Sequence, residues 1–214
     1  MELLLNHLFL PKRLGRLYFH GSRKNKKIAI TFDDSLSEET LKVLKILKKY
    51  KAEATFFVEG KRILGRENIL KEIVKQGNEI GNHTFNHKRL IFKNKKYIES
   101  EIIKTDKLLK KNKIKTKLFR PPHYVIGLNC LRVCKNLKKK IIFSDVVSQD
   151  WKLKGTNYPV NIVLSKVKNG SIINLHDYLE GLGRNKYIIK ILENILEKLK
   201  DDYKFVTVSK LINN

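Results

Sequence analysis

The stretch Lys27-Ile-Ala-Ile-Thr-Phe-Asp-Asp-Ser-Leu-Ser-Glu-Glu-Thr, residues 27–40, decides the fold. An apolar run rich in β-branched residues ends in two adjacent carboxylates, Asp33 and Asp34. Ser37 then stands where a helix cap belongs, with Glu38 and Glu39 in the first turn and Leu41, Leu44 and Leu47 recurring on one face. The stretch therefore reads as a strand, a polar strand end and a capped helix, which together make one βα unit.

The unit recurs along the chain. Further strands are expected at Ala54-Thr-Phe-Phe-Val, Glu79-Ile-Gly, Lys117-Leu-Phe-Arg, Lys140 to Val147, Ser171 to Leu175 and Lys204-Phe-Val-Thr-Val. Helical periodicity falls near 67–76, 95–111, 128–138, 159–168 and 185–200. Such alternation predicts an α/β fold of parallel strands with crossover helices, as an open sheet or a barrel. Neither GxGxxG nor GxxxxGK[ST] occurs, so the two common nucleotide-binding folds lack their phosphate loop. No linker or repeat divides the chain; one catalytic domain is expected over residues 27–214, after an N-terminal extension over residues 1–26.

At 214 residues and 42% hydrophobic, the chain can bury one substantial core. Its net charge of +25 would suit an anionic partner. The lysines are spread over nearly every predicted helix, however, so a solvated surface is favoured over a specific nucleic-acid site. The two cysteines, Cys130 and Cys134, read as small buried hydrophobes and leave the redox compartment open. In the N-terminal MELLLNHLFLPKRLGRLYF the apolar stretch is about ten residues, too short to span a bilayer, and its basic residues follow it. No ordinary signal peptide or transmembrane segment is read there. The expectation is a helix packed on the domain, or an interfacial one with Lys12, Arg13 and Arg16 at the headgroups, and a cytoplasmic or membrane-peripheral location.

The polar residues that interrupt the pattern collect at the C-terminal ends of predicted strands, where parallel α/β folds gather their active sites. These are Asp33-Asp34, Asn82-His-Thr-Phe-Asn-His87, Arg120-Pro-Pro-His123, Asp150-Trp151 and His176-Asp177. Taken singly, an Asp doublet is more often a turn or cap, two histidines at i,i+4 are as often a surface pair as metal ligands, and Thr84 where a zinc protease has Glu rules out that motif.

Together, TFDD, HTFNH, RPPH, QDW and NLHD in this order resemble the motifs of the polysaccharide deacetylase family, which shares the NodB homology domain and forms carbohydrate esterase family 4. The resemblance covers roughly residues 27–212. It implies a distorted (β/α) barrel with about seven parallel strands and a divalent metal, Zn2+ first, with Co2+ or Ni2+ as alternatives. It further implies Asp34, His83 and His87 as metal ligands, Asp33 as general base, Arg120 orienting it, and His176 as general acid paired with Asp150. The backbone N–H of His123 would hold the oxyanion and Trp151 would wall the sugar groove. A cation on one carboxylate and a guanidinium on the other would let the Asp33-Asp34 doublet exist at a strand end.

The chain departs from the family pattern in three places. Ser35-Leu36 replace the usual Gly-Pro, His123-Tyr124 follow the two prolines where Tyr-Gly is common, and Asn174 stands where a leucine lines the acetyl pocket. Asn174 and its neighbour Leu175 are counted as substrate-binding on that correspondence. A buried Asn174 amide must either bond to neighbouring protein groups or face an acyl group smaller or more polar than acetyl. The expected activity is metal-dependent hydrolysis of an N-acyl, chiefly N-acetyl, group on an amino sugar of a glycan or glycoconjugate. The alternatives are a deacylase or deformylase of a lipid-linked or small amino sugar, for which the basic N-terminus would supply a membrane contact, and a silent carbohydrate-binding barrel.

Overall fold

The computed structural model describes residues 16–179, 183–184 and 186–213, and its centre is a curled parallel sheet. In chain order the elements are β1 (Arg16–Tyr18), β2 (Lys27–Ser35), α1 (Glu38–Lys49), β3 (Ala54–Val58), α2 (Gly60–Ile63), α3 (Glu67–Lys75), β4 (Glu79–Asn82), α4 (Lys95–Lys111), β5 (Leu118–Phe119) and α5 (Leu128–Asn136). There follow β6 (Lys140–Ile142), β7 (Val146–Val147), α6 (Asn157–Lys166), β8 (Ile172–His176), β9 (Tyr178–Leu179), β10 (Gly183–Arg184), α7 (Ile188–Leu199), β11 (Lys204–Phe205) and α8 (Val208–Ile212). The strands run β1-β6-β5-β4-β3-β2-β8-β7, with β11 added to β2, and β9 pairs only with β10. Every pairing in the large sheet is parallel, so all the strand C-termini open at one end of this half-barrel.

Strand periodicity sorts the core into two sides. Along β2, Ile28, Ile30 and Phe32 face the helix layer, where they pack with residues of α1 and α7. Ala29 faces inward with Phe57, Leu118, Ile142 and Ile172, and Val208 and Leu211 of α8 pack against this inner cluster. Leu90, Phe119, Ile141 and both cysteines form the cluster under α4 and α5. The buried cysteine sulfurs are 4.0 Å apart and both thiols are free.

Three local readings change. The run 140–147 is two strands, because Phe143 stacks on Phe19 at 4.9 Å beside β1. Asp145 then breaks the run, accepting from the backbone of Ile172 and pairing with Arg23. The closing strand stops at Phe205, since Thr207 caps α8. Residues 16–18 form β1 on the edge of the sheet, so part of the expected N-terminal extension joins the barrel, while residues 1–15, with Lys12 and Arg13, lie outside the described residues. Among the described residues no helix is long and apolar enough to cross a membrane.

Candidate active site

The inner face of the barrel is apolar at its base and charged at its open end, and the change follows the period of two. The inward row of β2 reads Ala29, Thr31, Asp33; that of β8 reads Ile172, Asn174, His176, in register with it. Leu118 is followed on the inward side by Arg120.

Arg120 is completely buried and is the largest such side chain. One of its terminal nitrogens donates to Thr31 and to Asp33 Oδ1, each at 2.7 Å; the other donates to Ser144 at 3.1 Å, and its Nε to the Ile142 carbonyl at 3.2 Å. Its guanidinium lies 4.1 Å above the Phe57 ring. That ring occupies the space a side chain on Gly81 would need: a Cβ there would meet it at 2.4 Å. Asn174 is also fully buried and donates to the other oxygen of Asp33 at 2.9 Å. Burial alone would raise the Asp33 carboxyl, but Arg120, with His83 and His176 behind it, outweighs that and holds it below its usual value of 3.8.

Asp34 has different surroundings. Its φ of 57° breaks the strand alternation and turns its carboxylate to the same end of the barrel. Asp34 Oδ1 lies 3.2 Å from His87 Nε2 and 3.5 Å from His83 Nε2. His83 Nδ1 is 2.7 Å from the Arg120 carbonyl oxygen, which can only accept, so the ring proton is on Nδ1 and the Nε2 lone pair faces Asp34. Asp34 Oδ1 is buried and receives no hydrogen bond. Burial pushes this carboxyl up to about 7, opposed by His87 and His176 and reinforced by Asp33 and Glu59. Burial also lowers His83 to about 3, which keeps it neutral. Two acceptors confronted without a proton between them make a place for a cation, and Asp34, His83 and His87 each offer one ligand atom within 4.8 Å of the others.

His176 stands across the opening. Its Nδ1 is 2.9 Å from Asp150 Oδ1 and its backbone N–H donates to Asp150 Oδ2 at 2.8 Å. Burial would lower the imidazolium, but Asp150 overrides it and raises His176 to about 9. Trp151, 39% exposed, meets the His176 ring edge-on at 5.4 Å. On the other rim the exposed His123 ring lies 4.7 Å from that of His87, and both His123 and Tyr124 are left-handed, at φ 57° and 58°.

The structure thus brings Asp33, Asp34, His83, His87, Arg120, Asp150, Asn174 and His176 together, with His123 and Trp151 on the rim. Leu175 is apart from them: it faces outward and is buried in the cluster beneath α1 and α7. Three supporting residues are given no role by sequence, Asp177 being named only as the neighbour of His176. Arg62 donates to the carbonyls of Ser35 and Leu36 and covers the Tyr178 ring at 3.5 Å. Asp177 accepts from Ser35 and Thr40. Glu59, fully buried just beyond β3, pairs with Lys61 at 2.9 Å. Asp177 and Glu59 each stand directly after a strand, the position that marks the other site residues. Arg62 carries no such sign.

Residues 20–142 match the family model described as polysaccharide deacetylase. The chain is 35% identical over 201 residues to a peptidoglycan-N-acetylglucosamine deacetylase of Bacillus cereus, covering 92% of this chain and 93% of that protein. It is 33% identical to the peptidoglycan-N-acetylmuramic acid deacetylase PdaC of Bacillus subtilis, over 87% of this chain and 38% of that one. The crystal structure of a peptidoglycan N-acetylglucosamine deacetylase in complex with 4-naphthalen-1-yl-N-oxidanyl-benzamide superposes with a TM-score of 0.87 at 31% identity, covering 92% and 93% of the two chains.

Proposed function

The chain belongs to the polysaccharide deacetylase family, hydrolases of carbon–nitrogen bonds other than peptide bonds, and from that premise we propose that it removes the N-acetyl group from an amino sugar of a peptidoglycan-type glycan. The observation that carries the reading is the pair of unlike carboxylates, Asp33 held by Arg120 and Asn174, and Asp34 facing two imidazoles.

In this reading Asp34, His83 and His87 would hold a divalent ion, Zn2+ before Co2+ or Ni2+, which would supply a Lewis acid and make water more acidic. Asp33 takes the proton of the attacking water. Its two oxygens each spend one lone pair on Arg120 or Asn174 and keep another for that proton, and its low pKa keeps it ionised at neutral pH. The oxyanion that grows on the acetyl carbonyl is met by the backbone N–H of His123, a residue in the left-handed region on the rim of the site. His176, kept protonated by Asp150, gives its proton to the departing amine nitrogen. The exposed indole of Trp151 offers an apolar face to a pyranose ring. The strand β1, which pairs with β6, is counted with the catalytic domain expected over residues 27–214.

The test is metal analysis joined to an amine-release assay on N-acetylglucosamine oligomers, peptidoglycan fragments and polyprenyl-linked amino sugars. Asp34→Ala, His83→Ala and His87→Ala each lose the metal; Asp33→Asn keeps it and loses turnover. Near-native turnover of Asp33→Asn would remove the base from this scheme, and turnover confined to the polyprenyl-linked sugar would move the substrate from wall to lipid-linked precursor.

A further inference from the structure

The loop that leaves His87 carries an apolar tip inside a ring of positive charge. Phe92 is 93% exposed, with Ile91 at 38% and Leu128 of α5 at 58%. Ile91 and Leu128 are neighbours: a Cβ on Gly127 would lie 2.8 Å from the Ile91 carbonyl, and the Asn129 side chain donates to the Lys93 carbonyl at 3.1 Å. Lys88, Arg89, Lys93, Lys95 and Lys96 are all exposed around this tip, and no acidic residue occurs between Glu79 and Glu99. The face of α5 adds the exposed Arg132 and Lys135, in a stretch with no acid between Asp106 and Asp145.

The tip is held out by structure. Leu90 is fully buried in the cluster under α4 and α5, the Lys93 N–H closes a turn onto the Leu90 carbonyl at 3.1 Å, and Asn94 caps α4 through the Tyr97 N–H at 2.9 Å. A phenylalanine fixed almost wholly in water, with two aliphatic side chains beside it, gains nothing for the isolated fold. Cations without acids call for an anionic partner, and the apolar tip calls for a partner with an oily layer beneath its charge. A phosphodiester polymer or an acidic glycan would engage the lysines and leave Phe92, Ile91 and Leu128 wet.

We propose that this face docks on an anionic lipid bilayer, with Phe92 at the headgroup–acyl boundary and the five surrounding cations on lipid phosphates. The loop begins one residue after His87, and Gly127 follows His123 by four, so the docked face adjoins the mouth of the site and would hold it at the membrane surface.

The full chain is tested by co-sedimentation with vesicles of phosphatidylcholine, alone or with about one-third phosphatidylglycerol, at about 0.1 M salt, where surface charges still act over roughly 10 Å. Partition should be at least tenfold stronger into the anionic vesicles. Phe92→Ser should lower it roughly tenfold. Reversing Lys93, Lys95 and Lys96 to Glu should abolish the preference for anionic lipid. Phe92→Trp, read against the native Trp151 background, should show an indole quenched by brominated acyl chains. Release of amine from a soluble N-acetylglucosamine oligomer by Phe92→Ser should equal that of the wild type. Failure of the wild type to partition into anionic vesicles overturns the proposal. So does Phe92→Ser binding as well as the wild type, or polyphosphate binding as tightly as the vesicles do, either of which would make the face a plain polyanion surface.

Discussion

Replacing Asp150 by Asn tests the acid half of the site. Asp150 spends both oxygens on His176, one on the ring Nδ1 at 2.9 Å and one on the backbone N–H at 2.8 Å, and Ser148 donates to it at 3.0 Å. Asparagine is nearly isosteric but neutral, so the imidazolium loses the charge that offsets its burial. With Asp150 the His176 pKa is raised from 6.5 to about 9. Without it the burial penalty is opposed only by the weaker pull of Asp34 and Asp33, and the group is expected to fall back to about its ordinary 6.5. A general acid must be protonated to act, so at about pH 8 the competent fraction drops from about 0.9 to about 0.03, a loss of roughly thirtyfold, while near pH 6 it falls less than twofold. The variant's defect in kcat/KM should therefore grow with pH. Stability changes by the same cause. A folded pKa above the unfolded one contributes fully below about pH 6.5 and is lost as pH rises through about 9. At about 1.4 kcal/mol per pKa unit, the contribution is at most about 3 kcal/mol, and it is little screened because the ring is 13% exposed. The assays are kcat/KM across pH on a soluble N-acetylglucosamine oligomer and urea unfolding at matching pH values. A defect of constant size from about pH 6 to about pH 9, with parallel stability curves, would refute the assignment of His176 as the acid tuned by Asp150.

Arg120→Lys should destabilise the fold by about 3–5 kcal/mol in urea unfolding, because three rotatable donors cannot replace a fork that reaches Thr31, Asp33, Ser144 and the Ile142 carbonyl at once. Asn174→Leu removes a hydrogen bond to a buried carboxylate, a loss of about 1.5–3 kcal/mol. It should lower kcat/KM by roughly tenfold or more with metal content unchanged, and leave the ratio of N-acetyl to N-formyl hydrolysis flat, because the amide faces Asp33. Gly81→Ala places a methyl 2.4 Å from the Phe57 ring on which Arg120 rests, and should cost about 1–3 kcal/mol in thermal or urea unfolding.

Regular elements and strand-end chemistry were legible because both follow from periodicity. A parallel strand buried on both faces is mostly apolar, so the two carboxylates after Lys27-Ile-Ala-Ile-Thr-Phe read as its polar end, and α1 announced itself by Ser37 and its leucine spacing. What stayed hidden depends on contacts far apart in sequence. The three-residue β1 carries no pattern and exists because β6 offers an edge. Asn174 was legible as an inward residue, but its partner on β2 is 141 positions away and is set by strand register. The outward position of Leu175 follows from the same alternation that turns His176 inward, so its separation from the site was also implicit in the strand.

The left-handed residues tie the fold to the site. Among the described residues eleven non-glycine residues have positive φ. Lys51, Lys113 and Lys138 each follow a helix C-cap, where one left-handed residue commonly ends a helix. The other eight lie at or beyond strand ends: Asp34 in the irregular end of β2 and Leu36 just after it, Thr84 and His87 after β4, His123 and Tyr124 after β5, Gln149 and Leu153 after β7. Each costs on the order of 1 kcal/mol or more, and of the eight only Gln149 and Leu153, which flank the short 3-10 turn Asp150–Lys152, stand at the ends of a helical element. Strand alternation explains why the cost is borne. Alternate residues face opposite sides, so a strand can send only every second side chain into the barrel, and Asp33 has already taken the inward position. Asp34 reaches the same end only if the backbone reverses hand, which it does where the β2–β3 register breaks between Phe32 and Ser35. Two adjacent carboxylates then occupy one opening with opposite fates, Asp33 lowered by a guanidinium and Asp34 raised by burial. A doublet that kept the extended strand geometry would send its second carboxylate to the opposite face, toward the apolar helix layer, away from His83 and His87.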